Sequence, residues 1–428
     1  MSRDDWSGPL HFPFSVGAVL AANAVPDAYL LMDAPGCALW RPGFVQGSHD
    51  WNSHLWRTDG FHRVQTSMVS VERLAMTSTL PDLGDRLAKM AARPDCGVVM
   101  ATGFPLVMAA GVPHPAAWKA LDPPPSVPFV NVRPTALNAD WLDGYAAALD
   151  AMARAHPLRH LPRRADAIGI VGYLHDRNER DHAANHAELR RLLAALGLDL
   201  VSTWLDGSPF ADLGRIAEAG TLLAFPYARD AARTLAKRLG GGPVVDCDLP
   251  FGLKGTAAWL RTVGAATGRE AQAEALIDAE LRRVVPRVSW AVEPALRHGR
   301  AWFRGDPHLV RPLAALLAEV GVQLVGAVAV AGEHHQAALG PWDDVPCAVR
   351  FAPTMAWMDT VLAAGDARFG DEPVDCAIGW HEPPRRFVGL GFPSPYAHAL
   401  VDRPFVGFEG CVHFIDRLAA ELGRVAPA

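Results

Sequence analysis

The sequence predicts an α/β protein of three doubly wound, Rossmann-like domains with parallel sheets, and three observations predict it. Short apolar runs alternate with stretches whose leucines recur at helical spacing, those stretches close on glycine, and 428 residues exceed what one ordinary core accommodates. Strands that alternate with helices in this way pair in parallel and carry helices on both faces. Ligands of such folds bind at the carboxyl ends of strands, which is where Cys37, Tyr173, Asp306 and Phe392-Pro393 fall.

The elements follow in order. Tyr29 to Met32 is an apolar strand, and Pro35-Gly36 is the turn after it that presents Cys37. Asp122-Pro-Pro-Pro-Ser-Val-Pro128 is a rigid connection inside the first domain, and Ala155 to Arg164, with its prolines and basic residues, is a linker. Ala167 to Gly172 is a second strand, followed by Leu189, Leu192, Leu193 and Leu196 on one helical face closed by Gly197. The pattern repeats with Ala301 to Arg304, the Gly305-Asp306-Pro307 helix start, and Leu309, Leu313, Leu316, Leu317 and Val320 closed by Gly321. A second join falls between Val284 and Arg300, after the helix that carries Glu280 to Arg283. The expected domains are residues 1–160, with the Cys37 loop, 161–295 and 296–428.

Composition excludes several classes. Half the residues are apolar and a fifth are charged, as in a soluble globular enzyme. A net charge of −6 with no basic run interleaved with aromatics argues against nucleic acid. The most apolar N-terminal stretch, Phe14 to Leu31, is broken by Asn23, Pro26 and Asp27 and has no charged leader, so neither a membrane span nor a signal peptide is expected and the cytoplasm is. The six cysteines, at 37, 96, 247, 347, 376 and 411, form no CxxC pair, and the five besides Cys37 are expected to be free, buried or half-buried thiols. The chain has no GxxxxGK[ST] and no GxGxxG after a strand, so any ATP is hydrolysed by a separate protein.

A second candidate site is the run His49-Asp50-Trp51-Asn52-Ser53-His54, with His62 beyond it. Imidazole titrates near neutrality, so His49, Asp50 and His54 could orient a substrate, deliver protons or ligate metal. A polar loop of turn-forming residues is the alternative, and both readings stay open. Glu333-His334-His335 and His381-Glu382-Pro383-Pro384 lack the order of a helical metal motif, and Asp176 after Tyr173 reads as a helix cap. Trp40, Trp51 and Trp56 near Cys37 could pack a flat ligand, a core or a subunit interface.

Gly36-Cys37-Ala38, Thr66-Ser67-Met68 with Val71-Glu72, and Val98 to Phe104 follow one another in an order that extends through the chain. Ile168 to Tyr173, Asp248-Leu-Pro-Phe-Gly-Leu253, Gly305-Asp306-Pro307, Gly391-Phe-Pro-Ser394 and Pro404 to Gly410 continue it. Along nearly its whole length the chain resembles nitrogenase component 1 and its relatives, the dark-operative protochlorophyllide and chlorophyllide reductases and the cofactor-assembly scaffolds. The resemblance implies that Cys37 is a ligand of an iron–sulfur cluster, [4Fe-4S] or larger. The second ligand position reads Arg63 and the third Gly103 or Phe104, so one cysteine of three is present. His62, beside the missing second cysteine, is a candidate substitute ligand.

Such a depleted subunit resembles the non-catalytic half of a pair. Four-coordinate iron needs completion, so the resemblance implies a second component 1-like subunit that shares the cluster, heterodimers pairing to a heterotetramer, and an ATP-dependent iron protein that delivers electrons. At the position of the molybdenum-cofactor cysteine stands Phe225-Pro-Tyr-Ala-Arg229, and only His398 lies near the cofactor histidine, so dinitrogen reduction here is not expected. Three functions follow: an oxidoreductase subunit that passes electrons to a small organic substrate, a metallocluster-assembly scaffold, or a cluster-free structural paralogue. The protonating groups of the His49 loop favour the first, because a scaffold does not need them.

Overall fold

The computed structural model describes residues 12–36, 38, 41–46, 55–68, 80–105, 107, 114–159, 161–177, 180–362, 368–379, 386–393 and 402–423. Three parallel sheets carry the fold. In the first, β1 (Ala28–Asp33), β2 (Val64–Thr66), β3 (Val98–Gly103) and β4 (Phe129–Asn131) lie in the order β2-β1-β3-β4, all parallel. Every residue of β1 and β3 is buried, as in a sheet covered on both faces.

One cover is the helix Phe14–Asn23, apolar around its whole circumference and buried at all ten positions. It crosses the helix Trp141–Ala155 at two glycines: a Cβ on Gly17 would stand 2.0 Å from the Trp141 carbonyl, and one on Gly144 would stand 2.0 Å from that of Phe14. No side chain fits between these backbones. Asp140 caps the second helix reciprocally with Asp143. On the other face Leu83, Leu87 and Met90 of the helix Leu80–Ala91 pack with Tyr29, Leu31, Val99 and Ala101.

The second sheet repeats the plan with β5 (Arg164–Val171), β6 (Asp199–Thr203), β7 (Ala219–Ala224) and β8 (Val244–Asp246) in the order β6-β5-β7-β8, again all parallel. The third joins β9 (Arg300–Gly305), β10 (Gln323–Ala329), β11 (Val349–Phe351), β14 (Cys376–Gly379) and β15 (Phe387–Val388) in the order β11-β10-β9-β14-β15. A short antiparallel pair, β12 (Arg368–Phe369) and β13 (Glu372–Pro373), precedes β14. Each sheet reverses its strand order beside its first strand, the doubly wound plan that alternating strands and helices predict.

By contacts the chain forms two compact units. One comprises Pro13–Asn178 with Leu198–Asp246 and holds the first two sheets; the other comprises Met1–Phe12, Glu179–Gly197 and Cys247–Ala428 and holds the third. The second unit also holds the helices Asp181–Ala195, Gly252–Thr267, Glu270–Ala291 and Gly407–Leu422.

Gly197 and Gly321 close their helices with positive φ, as expected, and Asp306 caps the helix Pro307–Glu319 through the His308 N–H. Two local expectations differ. The helix after β5 starts at Asp181, so Asp176 does not cap it; the Asp176 carboxylate instead accepts the Arg177 N–H. The helix carrying Glu280 runs through Pro286 to Ala291, because its buried stripe Val284, Val288, Ala291 continues past the proline. Packing of that stripe offsets the ~3 kcal/mol that an interior proline costs. Among the described residues no helix is long and apolar enough to cross a membrane.

Candidate functional site

The exits of β1, β2 and β3 lie side by side at the carboxyl edge of the first sheet, because the strands are parallel with Met32 opposite both Thr66 and Thr102. Local bonds fasten them. Ser67 N–H donates to the Met32 carbonyl at 3.0 Å, its Oγ accepts the Ala34 N–H at 3.0 Å, and Phe104 N–H donates to the Asp33 carbonyl at 3.1 Å. The first of these exits leads through Pro35 and Gly36 to Cys37. Met68 lies over Gly36: a Cβ there would come within 3.1 Å of its Cε. Met68 is itself half exposed, with φ +55°. The Arg41 guanidinium stands 5.7 Å from the centre of the Phe104 ring, placing a cation at the same edge.

Cys37 and the histidine loop, His49, Asp50 and His54 included, lie outside the described residues, as do Trp40, Trp51 and His398. At the ends of β2 and β3 stand Ser67, Met68, Gly103 and Phe104, none of them a thiol. The other five cysteines form no disulfide among the described residues, three of them buried and two half-buried. Burial pushes the thiols of Cys96, Cys376 and Cys411 up to about 12 and that of Cys347 to about 11, so all stay protonated at neutral pH.

His62 and Arg63 stand at the opposite, amino end of β2, since Val64 pairs with Leu30. His62 Nδ1 lies 3.0 Å from the Val64 N–H, its ring meets Trp56 edge-on at 4.6 Å, and burial lowers its pKa. Arg63 is fully buried and donates from one guanidinium nitrogen to the carbonyls of Ala22, Val25 and Ala28 at 2.9, 3.0 and 2.6 Å. Burial, with the Arg57 charge acting in the same direction, brings it down to about 9, still a cation at neutral pH. It thus ties together carbonyls from the last turn of the first helix to the first residue of β1.

One polar pair at the carboxyl edge escaped the sequence reading. Asp33, the last residue of β1, places Oδ2 3.0 Å from His114 Nε2, and both side chains are buried. The one signal available was an aspartate closing an otherwise apolar strand; nothing near residue 114 marks its partner, 81 residues away.

At the position that the resemblance assigns to the molybdenum-cofactor cysteine, Phe225, Tyr227 and Ala228 are buried at the exit of β7. At the exit of β5, Tyr145 Oη donates to the Tyr173 carbonyl at 2.7 Å and accepts the His175 N–H at 3.2 Å. Neither exit offers a described thiol.

In the other unit a cleft of about 660 Å³ is lined by Ala183, Ala187, Glu188, Arg191, Arg283 and Glu409 among others. Its walls are a chain of alternating charges: Glu188 to Arg191 at 2.7 Å, Arg191 to Glu280 at 2.6 Å, Glu280 to Arg283 at 2.5 Å, then Arg283 and Arg287 on Glu409. Every charge has a partner of opposite sign, so the chain binds three helices to each other.

Comparisons with known proteins agree with this architecture. A solved structure of nitrogenase Cp1 at pH 6.5 superposes with a TM-score of 0.74 at 16% identity, covering 97% of this chain and 93% of that one. Nitrogenase Cp1 at pH 5 gives 0.69 at 12% identity, with 98% and 89% covered. No curated protein matches the chain. The family model described as nitrogenase component 1 type oxidoreductase matches residues 15–422, and the chain belongs to that family.

Proposed function

We propose that this chain is one subunit of a nitrogenase-like, iron–sulfur-dependent reductase, which passes electrons through a cluster shared with a second subunit to a small organic substrate. The observation that carries this reading is the carboxyl edge of the first sheet. Three strand exits meet there, the central one leads into Gly36-Cys37, and its two described neighbours bring no thiolate. The other five cysteines are buried or half-buried residues elsewhere in the chain. A tetrahedral iron site needs more ligands than one thiolate, so the remaining thiolates come from a partner. This donor set fits a shared cluster and does not fit one held by this chain alone. The cluster would store and relay electrons; the chain would hold it through Cys37.

The chain has no phosphate-binding loop, so the reading includes an ATP-hydrolysing iron protein as electron donor. His49, Asp50 and His54 are the proposed proton-delivering groups. His62, at the far end of β2, is not needed as a ligand. We propose cytoplasmic heterodimers that pair to a heterotetramer, and domain boundaries at 160/161 and 295/296, one sheet to a domain.

The test is anaerobic co-expression with the partner subunit, followed by iron analysis and EPR on wild type and Cys37→Ala. Iron with a reducible signal that is lost or altered in Cys37→Ala supports the shared cluster. A reducible cluster without turnover under an ATP-driven donor would favour a scaffold. A folded complex without iron sinks the redox reading and leaves a structural paralogue.

A further inference from the structure

We propose that Asp33 and His114 form a positioning couple that fixes the turn Ala34-Pro35-Gly36 leading to Cys37. This rests on the reading of Cys37 as the working thiol and names the residues that hold it in place. Asp33 is 4% exposed and His114 1%, and the Asp33 carboxylate meets the His114 imidazole at 3.0 Å. A buried carboxylate is costly unless bonded, and here the bond is spent on a histidine from a distant segment rather than on an arginine or lysine. It sits one residue before the turn. On its other sides the β1 exit is tied to Ser67 after β2 and to Phe104 after β3 through hydrogen bonds that involve the backbone. The imidazole supplies the third tether, through the side chain, and so sets the direction in which the chain leaves the sheet.

The test reads Cys37 directly and needs no cluster. The full chain is alkylated with iodoacetamide, and labelling of Cys37 is followed by peptide mass spectrometry relative to half-buried Cys96 in the same sample. Wild type is compared with Asp33→Asn, which keeps the shape and removes the charge; His114→Leu, which removes the bond; and His114→Gln, which keeps a donor. Asp33→Asn and His114→Leu are expected to change the Cys37 rate relative to Cys96 by threefold or more, with His114→Gln within twofold of wild type. Unchanged ratios in both disruptive variants overturn the proposal. Unfolding of both also overturns it, because the pair would then support the core and not the turn. In the iron-loaded complex the same variants should alter the EPR line shape while Cys37→Ala alters iron binding. A complex that never takes up iron would sink the reductase reading and leave the alkylation result standing.

Discussion

Glu188 occupies the space that a side chain on Gly407 would need: a Cβ there would meet Glu188 Cγ at 2.4 Å. Gly407 has φ +75°, its N–H donates to the Pro250 carbonyl, and two residues on Glu409 N–H donates to Glu188 Oε1. Asn185, one turn earlier on the same helix, accepts the N–H of Phe405 at 2.9 Å. Residues 405–409 are therefore seated on the helix Asp181–Ala195.

Gly407→Ala should destabilise the protein by about 1–3 kcal/mol or more, since overpacking adds to the left-handed strain of a non-glycine residue. Glu188 cannot swing away without leaving Arg191, with which it is bidentate. Chemical denaturation would show the loss, and a variant with wild-type stability would mean that this helix is free to shift.

Arg63→Cys restores a thiol at the position the resemblance assigns to a second ligand, and it should still fail as a ligand. The residue sits at the amino end of β2, and its removal leaves three carbonyls without their donor. The expected outcome is a stability loss of about 1–3 kcal/mol, typical of leaving buried hydrogen-bond partners unsatisfied, with iron content no higher than wild type. Extra iron bound by the variant would contradict this placement.

His186 gives the fold an acid limit. Burial holds its pKa down at about 3, against 6.5 in the unfolded chain, with His182 and Arg190 acting in the same direction. The unfolded chain therefore binds this proton first, and stability falls as pH drops from about 6.5 towards 3. His186→Gln should flatten the stability profile in that window and leave its shape above pH 7 unchanged.

Glu319 acts with the opposite sign. Burial raises its pKa, and Lys254, whose Nζ stands 3.7 Å from Oε1, acts in the opposite direction without cancelling it. The folded state holds this proton more tightly than the unfolded chain, so stability falls as pH rises past the ordinary glutamate value of 4.5 and the loss is complete above the raised one. Glu319→Gln should raise the melting temperature at pH 8 and leave it unchanged at pH 3, where both residues are neutral.

What the sequence made legible is local. The strand Ala167 to Gly172, the leucine face that ends at Gly197 and the Asp306-Pro307 helix start are set by neighbours within a turn or two, and they stand where periodicity and capping put them. The continuation of a helix through Pro286 depended on packing that no local rule encodes. Asp33 with His114, and Arg63 with the carbonyls of residues 22–28, are pairings across 35 to 81 positions made by the fold itself. The proposal for Cys37 rests on the order of motifs around it, not on any property of the thiol.

The helix Asp181–Ala195 follows β5 and precedes β6, yet its ion pairs and its seat for residues 405–409 belong with the second unit. The consequence concerns synthesis. Both strands that flank this helix can pair once residue 246 has emerged, but Arg191 must wait 89 residues for Glu280, and Glu188 must wait 221 for Glu409. Until the last helix is made, Glu188 has Arg191 but not the Glu409 N–H, and a nascent chain arrested before residue 405 holds one finished unit and one open one. Neither unit is a contiguous stretch of sequence, so a fragment cut at 178 or begun at 247 would lack part of its own core.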